Sequence, residues 1–305
     1  ALDAVTTTGL VDGAVAIGTN ALTNATGAPN ATAVGYRAME NQVVGTSCTA
    51  VGYDAGKTSM NSANTFVGST AGQYLGNGTH NVAIGVEALR GATFTDATCD
   101  YNDDPTITHD ANAAIVAGLV VTGTGIPAGS KIASITDSTH FELSAATTGG
   151  AVTNGTLTFY KNQGANNIAI GNYTLDAVTT GNANVAIGSY AGSAITEGTQ
   201  NIAIGFGALD AANGVGSGAE AYNVAVGHNA MTTETSGAIG CVAIGNRALE
   251  LQNREASGNT AVGHEAGKAI PASTGGRYSV IMGYSAGIAA MTGDANTIIG
   301  YASGQ

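Results

Sequence analysis

One short pattern of polar, branched and small positions returns along the whole chain. A small or polar residue is followed by Val, Ile or Thr, then a small residue, then Val, Ile or Met, then Gly. The phrase begins as VAIGTNAL at Val15–Leu22, TAVGYRAM at Thr32–Met39 and TAVGYDAG at Thr49–Gly56, and it recurs thirteen times in all. Its anchoring glycines are Gly18, Gly35, Gly52, Gly68, Gly85, Gly171, Gly188, Gly205, Gly227, Gly245, Gly263, Gly283 and Gly300. Their spacings are 17, 17, 16, 17, 86, 17, 17, 22, 18, 18, 20 and 17. A period near 17 that carries one β-branched run predicts a parallel β-solenoid with one coil per repeat.

Counting from the anchoring Gly, side chains one and three residues before it share a strand face, because strand side chains alternate. Those positions hold Val, Ile, Thr or Met and are expected to point into the coil. The residues two and four before Gly are then expected to face outward. The first of these rows is Ala16, Ala33, Ala50, Ala83, Ala169, Ala186, Ala203, Ala225, Ala243 and Ala261, interrupted by Phe66, Ile281 and Ile298. The second is Asn64, Asn81, Asn167, Asn184, Asn201, Asn223, Asn259 and Asn296, a set able to hydrogen-bond as a ladder along the coil axis. An outward Ala row would be an apolar strip, so it is expected to form the interface of a parallel homotrimer. Each anchoring Gly supplies the positive φ of a corner.

The 86-residue gap between Gly85 and Gly171 breaks the period. It divides the chain into repeats over 1–90, an inserted small β-domain over 91–162 and further repeats over 163–305. Strand signals in the insert fall at Val120–Thr122, Lys131–Thr136, Phe141–Ser144 and Thr156–Tyr160. The domain is expected to protrude, with both ends rejoining the solenoid in register. The opening Ala1–Thr7 repeats Thr174–Thr180, and the chain ends in the same phase, as expected of a segment cut from a longer polypeptide.

The segments Asn81–Gly85, Asn184–Gly188 and Asn201–Gly205 (NVAIG, NVAIG and NIAIG) resemble the head repeat of trimeric autotransporter adhesins, the YadA-like head repeat. The likeness covers about 13–89 and 165–304. It implies a left-handed parallel β-roll, trimerised side by side. The coil is longer than that family's, its spacing drifts to 22, and the Ser of the family signature is missing. In those respects the chain is similar to the less regular fibres of bacteriophage tails and virions. The insert's VVTGTGIPAGSKIASIT is likewise similar to small β-domains of virion proteins.

Composition narrows the function. The chain has 9 basic and 21 acidic residues among 305, a net charge of −12, which argues against nucleic-acid partners and anionic lipid surfaces. No segment is suited to membrane insertion. Cys48, Cys99 and Cys241 lie far apart, so neither a zinc site nor a disulfide framework is indicated. His80, His109, His140, His228 and His264 show no metal-binding spacing, and His228 and His264 share one repeat position. Asp100, Asp103 and Asp104 offer oxygen ligands for Ca²⁺, although a solvated acidic loop is the preferred reading. Tyr36, Tyr53, Tyr284 and Tyr301 follow the corner Gly, where they suit either corner packing or stacking on sugars. No catalytic or cofactor-binding residue is nominated, and no cofactor is expected. Asp54, Glu87, Glu220 and Glu265 are too scattered to pair as a depolymerase would need, and hexapeptide repeats do not succeed one another as an acyltransferase helix requires. The expected function is therefore a non-enzymatic fibre or adhesin segment at a virion surface, partnered by its own copies and by a host glycan or protein receptor. The alternatives are a bacterial adhesin head at the cell surface, and a β-helix enzyme or depolymerase.

Overall fold

The computed structural model describes residues 12–25, 27–42, 45–59, 61–127, 129–161, 164–210, 222–232, 239–251, 257–270, 276–288 and 293–304. The opening Ala1–Thr7 and Glu220 lie outside them. The described chain is all-β. Its strands are β1 (Val15–Ile17), β2 (Thr32–Val34), β3 (Thr49–Val51), β4 (Thr65–Val67) and β5 (Val82–Ile84), then β6 (Thr93–Asn102), β7 (Thr106–Thr108), β8 (Val120–Thr122), β9 (Ile132–Asp137), β10 (His140–Leu143) and β11 (Ala151–Tyr160). Eight short strands follow: β12 (Ile168–Ile170), β13 (Val185–Ile187), β14 (Ile202–Ile204), β15 (Val224–Val226), β16 (Val242–Ile244), β17 (Thr260–Val262), β18 (Val280–Met282) and β19 (Thr297–Ile299). Every one of the thirteen repeats supplies one three-residue parallel strand, so the solenoid reading of the period holds.

The chain divides into two units, Ala1–Asn64 with Gly72–Thr79 and Gly91–Gln163, and Thr65–Ala71 with His80–Arg90 and Gly164–Gln305. In the second unit β4, β5 and β12–β19 pair side by side in unbroken register, so that Ala169, Ala186, Ala203, Ala225, Ala243 and Ala261 stand in one row. Strand β5 pairs directly with β12, Val82 opposite Ile168, although 86 residues separate them. The chain thus leaves the solenoid after one coil and rejoins it at the next.

The first unit holds the parallel strands β1–β3 and an antiparallel six-stranded sheet in the order β8-β11-β6-β7-β10-β9. The long β6 and β11 form its spine. Around them Cys99, Ile107, Val121, Phe141, Leu157 and Phe159 make a separate apolar core, with Phe94 stacked on Phe159 at 4.8 Å.

The strand phase is the reverse of the expected one. The Ala two residues before each Gly points inward: Ala33, Ala50, Ala83, Ala169, Ala186, Ala225, Ala243 and Ala261 have no exposed surface, Ala203 has 1 %, and only Ala16 is partly exposed. The branched residues flanking them face out, with Ile17 58 %, Ile187 38 % and Ile244 40 % exposed. The reason is width. A 17-residue coil brings its walls so close that the interior takes Ala from the strand, Ala from the next turn (Ala88, Ala191, Ala208) and a Leu or Gly beside it. Where Gly192 occupies that place, a Cβ would lie 2.8 Å from Leu175 Cδ2 and 2.9 Å from Ile195 Cδ1, so large side chains of adjacent turns fill the space above a Gly. Val, Ile and Thr favour the strand because they suit a pleated surface, and they do so here without being its core.

Tight corners close each coil. The anchoring Gly adopts φ between +127° and +141° in all thirteen repeats, a region open only to Gly. At Gly188 a Cβ would sit 2.6 Å from the carbonyl oxygen of Gly205, so the corners of successive coils also stack too closely for any side chain.

Candidate functional site: an outward strand face and its corner

The asparagine row is inside the coil, not outside it, and it forms the ladder there. Asn64, Asn81, Asn167, Asn184, Asn201, Asn223 and Asn259 are at most 2 % exposed, while Asn296 is half-buried. An inward backbone N–H at this position has no strand to pair with, and the neighbouring side chain supplies the acceptor. Asn184 Oδ1 accepts the Asn201 N–H at 3.0 Å and Asn201 Nδ2 at 3.0 Å. Asn184 Nδ2 donates to Asn167 Oδ1 at 3.1 Å and to the Gly198 carbonyl at 2.8 Å. The same Oδ1-to-N–H bond links Asn81 to Asn167, Asn167 to Asn184 and Asn201 to Asn223. Cys48, Cys241 and Ser279 occupy the same register position; Asn223 Oδ1 accepts the Cys241 N–H, and Ser279 Oγ accepts that of Asn296. These residues are structural: they satisfy buried backbone groups that would otherwise be costly.

The predicted interface alanines other than Ala16 are therefore enclosed and cannot meet a neighbouring molecule. The surface left outside consists of the residues one and three before Gly. In the second unit, ten strands present Val, Ile, Thr and Met in two columns, with Val67, Ile84, Ile168, Ile187, Ile202 and Ile204 each more than a third exposed. No Asp, Glu, Lys or Arg stands at any of these positions in any repeat. A continuous apolar face of this kind is uncommon on a solvated monomer.

Beside this face runs a column of rings. Tyr36 stacks on Tyr53 at 5.5 Å in the first unit. In the second, Tyr173, Tyr190, Phe206 and His228 follow one another at 5.2–5.8 Å, and His264, Tyr284 and Tyr301 at 4.7 and 5.5 Å. His228 and His264 thus serve as flat rings in the column. Ring-on-ring packing along the corner thus accounts for Tyr36, Tyr53, Tyr284 and Tyr301, each of which has at least one ring neighbour.

Charged groups are paired close to the corner. Arg37 forms a two-pronged contact with buried Asp54 at 2.8 and 2.6 Å, and Gln73 Nε2 donates to the same carboxylate. Arg247, Lys268, Glu250 and Glu265 form a second network. Asp176 is different: burial pushes its carboxyl up to about 6, the nearby Glu87 and Asp210 add to the rise, and Arg90 only partly opposes it.

The six-stranded sheet accounts for the acidic loop. Asp100 Oδ1 accepts the Asn154 N–H, Asp103 Oδ1 that of Gly150, and Asp104 Oδ1 that of Thr106, so all three carboxylates brace turns. No group of three or more His, Cys, Asp or Glu side chains among the described residues is arranged to hold a metal ion. The three thiols are buried and unbridged, and burial together with Asp96 drives that of Cys99 to about 12, which suppresses thiolate chemistry. No helix among the described residues is long and apolar enough to cross a membrane. The sequence matches no family model, and no curated protein or solved structure matches it.

Proposed function

We propose that the chain is a structural segment of a trimeric attachment fibre, in which parallel copies meet through the outward Val/Ile/Thr columns, not through the Ala row. The observation that carries this reading is the uncharged, exposed strand face repeated coil after coil on a chain of net charge −12. Burying that face in a closed three-fold arrangement removes an apolar strip from water and keeps all copies pointing one way. The Asn ladder and the stacked corners give the rigidity that a spacer needs. The coil spacing of 16 to 22 residues, and an inserted small β-domain between β5 and β12, favour a virion or tail fibre over a bacterial adhesin head with its more regular repeat. In this reading the solenoid is not an enzyme and needs no cofactor. It supports attachment to a host surface outside the cell.

Native mass measurement at micromolar concentration tests it. Three times the 29.8 kDa chain mass is expected. The double variant Ile187→Lys/Ile204→Lys is expected to give a folded monomer, while Ser189→Lys at the corner leaves the trimer intact. A monomeric wild-type chain overturns the proposal.

A further inference from the structure

In the six-stranded sheet a cleft of about 380 Å³ opens between the Asp137–Ser138 turn after β9 and the segment that leads from His109 to Ile115. That volume falls within the range of small-ligand sites. His109 lines the cleft although only 5 % of it is exposed. Its Nδ1 meets the Asp110 carbonyl, which can only accept, so Nδ1 carries a proton. Nε2 has no hydrogen-bond partner among the described residues.

Other groups hold that ring in place. Asp96 Oδ2 lies 3.9 Å from Nδ1 and accepts Asn112 Nδ2 at 3.1 Å. Burial opposes ionisation of Asp96, but hydrogen bonds from Thr98 and Asn112 outweigh it and hold the carboxyl below its usual range. Phe141 packs on the ring at 5.3 Å. Asn112 Oδ1 also accepts the Ala114 N–H, and its Nδ2 keeps a second N–H. The second polar wall is Asp137, whose carboxylate already accepts Thr139 and His140 and keeps lone pairs to spare. Ile115 and Ile135 supply the apolar surface.

The lining therefore offers an imidazole, a carboxylate, the Ser138 residue and the second N–H of Asn112, against an aliphatic floor. An occupant must bring both donors and acceptors and an apolar side. The Asp137 carboxylate repels an anion, and an ammonium would have to be desolvated against Ile115, Ile135 and the lining alanines. We propose that this cleft binds a neutral hydroxylated ring, one or two hexose units of a surface glycan, with a hydroxyl donated to His109 Nε2 and others to Asp137. The choice of a surface glycan rests on the attachment reading above; the site itself rests on the cleft.

Saturation-transfer NMR on the 305-residue chain tests this with neutral glucose-, galactose- and mannose-based oligosaccharides, a sialylated oligosaccharide and a glucosamine oligomer. Binding of at least one neutral probe is expected, weakened tenfold or more in Ile135→Trp, which fills the mouth from an exposed position, and in His109→Gln. The monomeric Ile187→Lys/Ile204→Lys variant is expected to bind as wild type does. Preference for the sialylated or amine probe, unchanged binding in a folded Ile135→Trp, or no binding of any neutral probe at millimolar concentration overturns the proposal. In that last case a trimeric mass leaves the fibre reading standing. A monomeric wild type that still binds glycan removes the fibre and keeps the site.

Discussion

Removing one rung of the internal ladder has a cost that follows from the hydrogen bonds it makes. In Asn184→Ala the Asn201 N–H loses its acceptor and the Gly198 carbonyl loses its donor, both inside the coil. Each buried polar group left unpaired costs about 1–3 kcal/mol, so the variant is expected to lose about 2–6 kcal/mol. A Ser keeps an acceptor at this place, as Ser279 does for Asn296, and should recover part of the loss. Stability in repeat solenoids is felt first by neighbouring coils, so amide exchange is the sharper assay. In Asn184→Ala the amides of Val185 and Asn201 should exchange about a hundredfold faster or more, whereas those of the distant Ala261 and Val262 should change little. Urea unfolding gives the global counterpart. A loss below about 0.5 kcal/mol, or equal losses for Ala and Ser, would refute the reasoning, because the backbone groups would then be satisfied without the side chain.

Ala186→Leu pushes a branched side chain into the closed interior and is expected to cost about 1–3 kcal/mol by urea unfolding, so an unchanged midpoint would contradict the strand phase. Gly188→Ala meets both a φ of +130° and the Gly205 carbonyl 2.6 Å away, and should fail to give soluble folded protein. Exposed Ala183, at φ +57°, should by contrast gain up to about 1 kcal/mol as Ala183→Gly, measured by thermal unfolding. Asp176 titrates near 6 when folded, above the ordinary carboxylate value, so its folded form is favoured below the unfolded pKa and that advantage disappears as pH rises through about 6. Asp176→Asn should therefore stabilise the chain by about 1 kcal/mol at pH 7.5, after allowing for solvent screening of a half-buried group, and by nothing at pH 4. An equal gain at both pH values would show that the charge is not the cause.

The period, the strand positions and the corner glycines were readable in the sequence because each rests on local backbone chemistry. A β-branched pair three and one residues before a Gly makes a short strand and a corner whatever surrounds it. Between β5 and β12 the four strand signals fall on β8, β9, β10 and the end of β11, whereas β6 and β7 carried no signal that the alternation rule picked out. The facing of the strand was not. Alternation divides residues into two sets but does not say which is inside, and the usual rule that branched apolar residues are buried assumes an interior wide enough to hold them. The row of Asn was the signal that could have corrected the choice. Seven of its eight members are almost fully buried, because backbone groups on the inner wall need partners that only a side chain of that length provides. The cleft at His109 was beyond reach, because Asp96, His109 and Asp137 come together only through the folding of β6, β7 and β9.

Reversing the facing changes what the repeat is for. With alanines outside, the coil would have a bulky interior and a smooth backbone-like exterior suited to close approach. With alanines inside, the interior is minimal, and hydrogen bonding carries more of the cohesion: Asn side chains, stacked corners and parallel strands each tie a coil to the next. The branched residues are thereby released from the core of the single chain. A sequence that retains Val or Ile at exposed positions through repeat after repeat, while admitting charge at the neighbouring corner positions Arg37, Asp54, Glu87, Arg247 and Glu265, has a second hydrophobic core in waiting. In the fibre proposed above that core would be completed between chains, and the same pattern that makes the strand would also make the assembly surface.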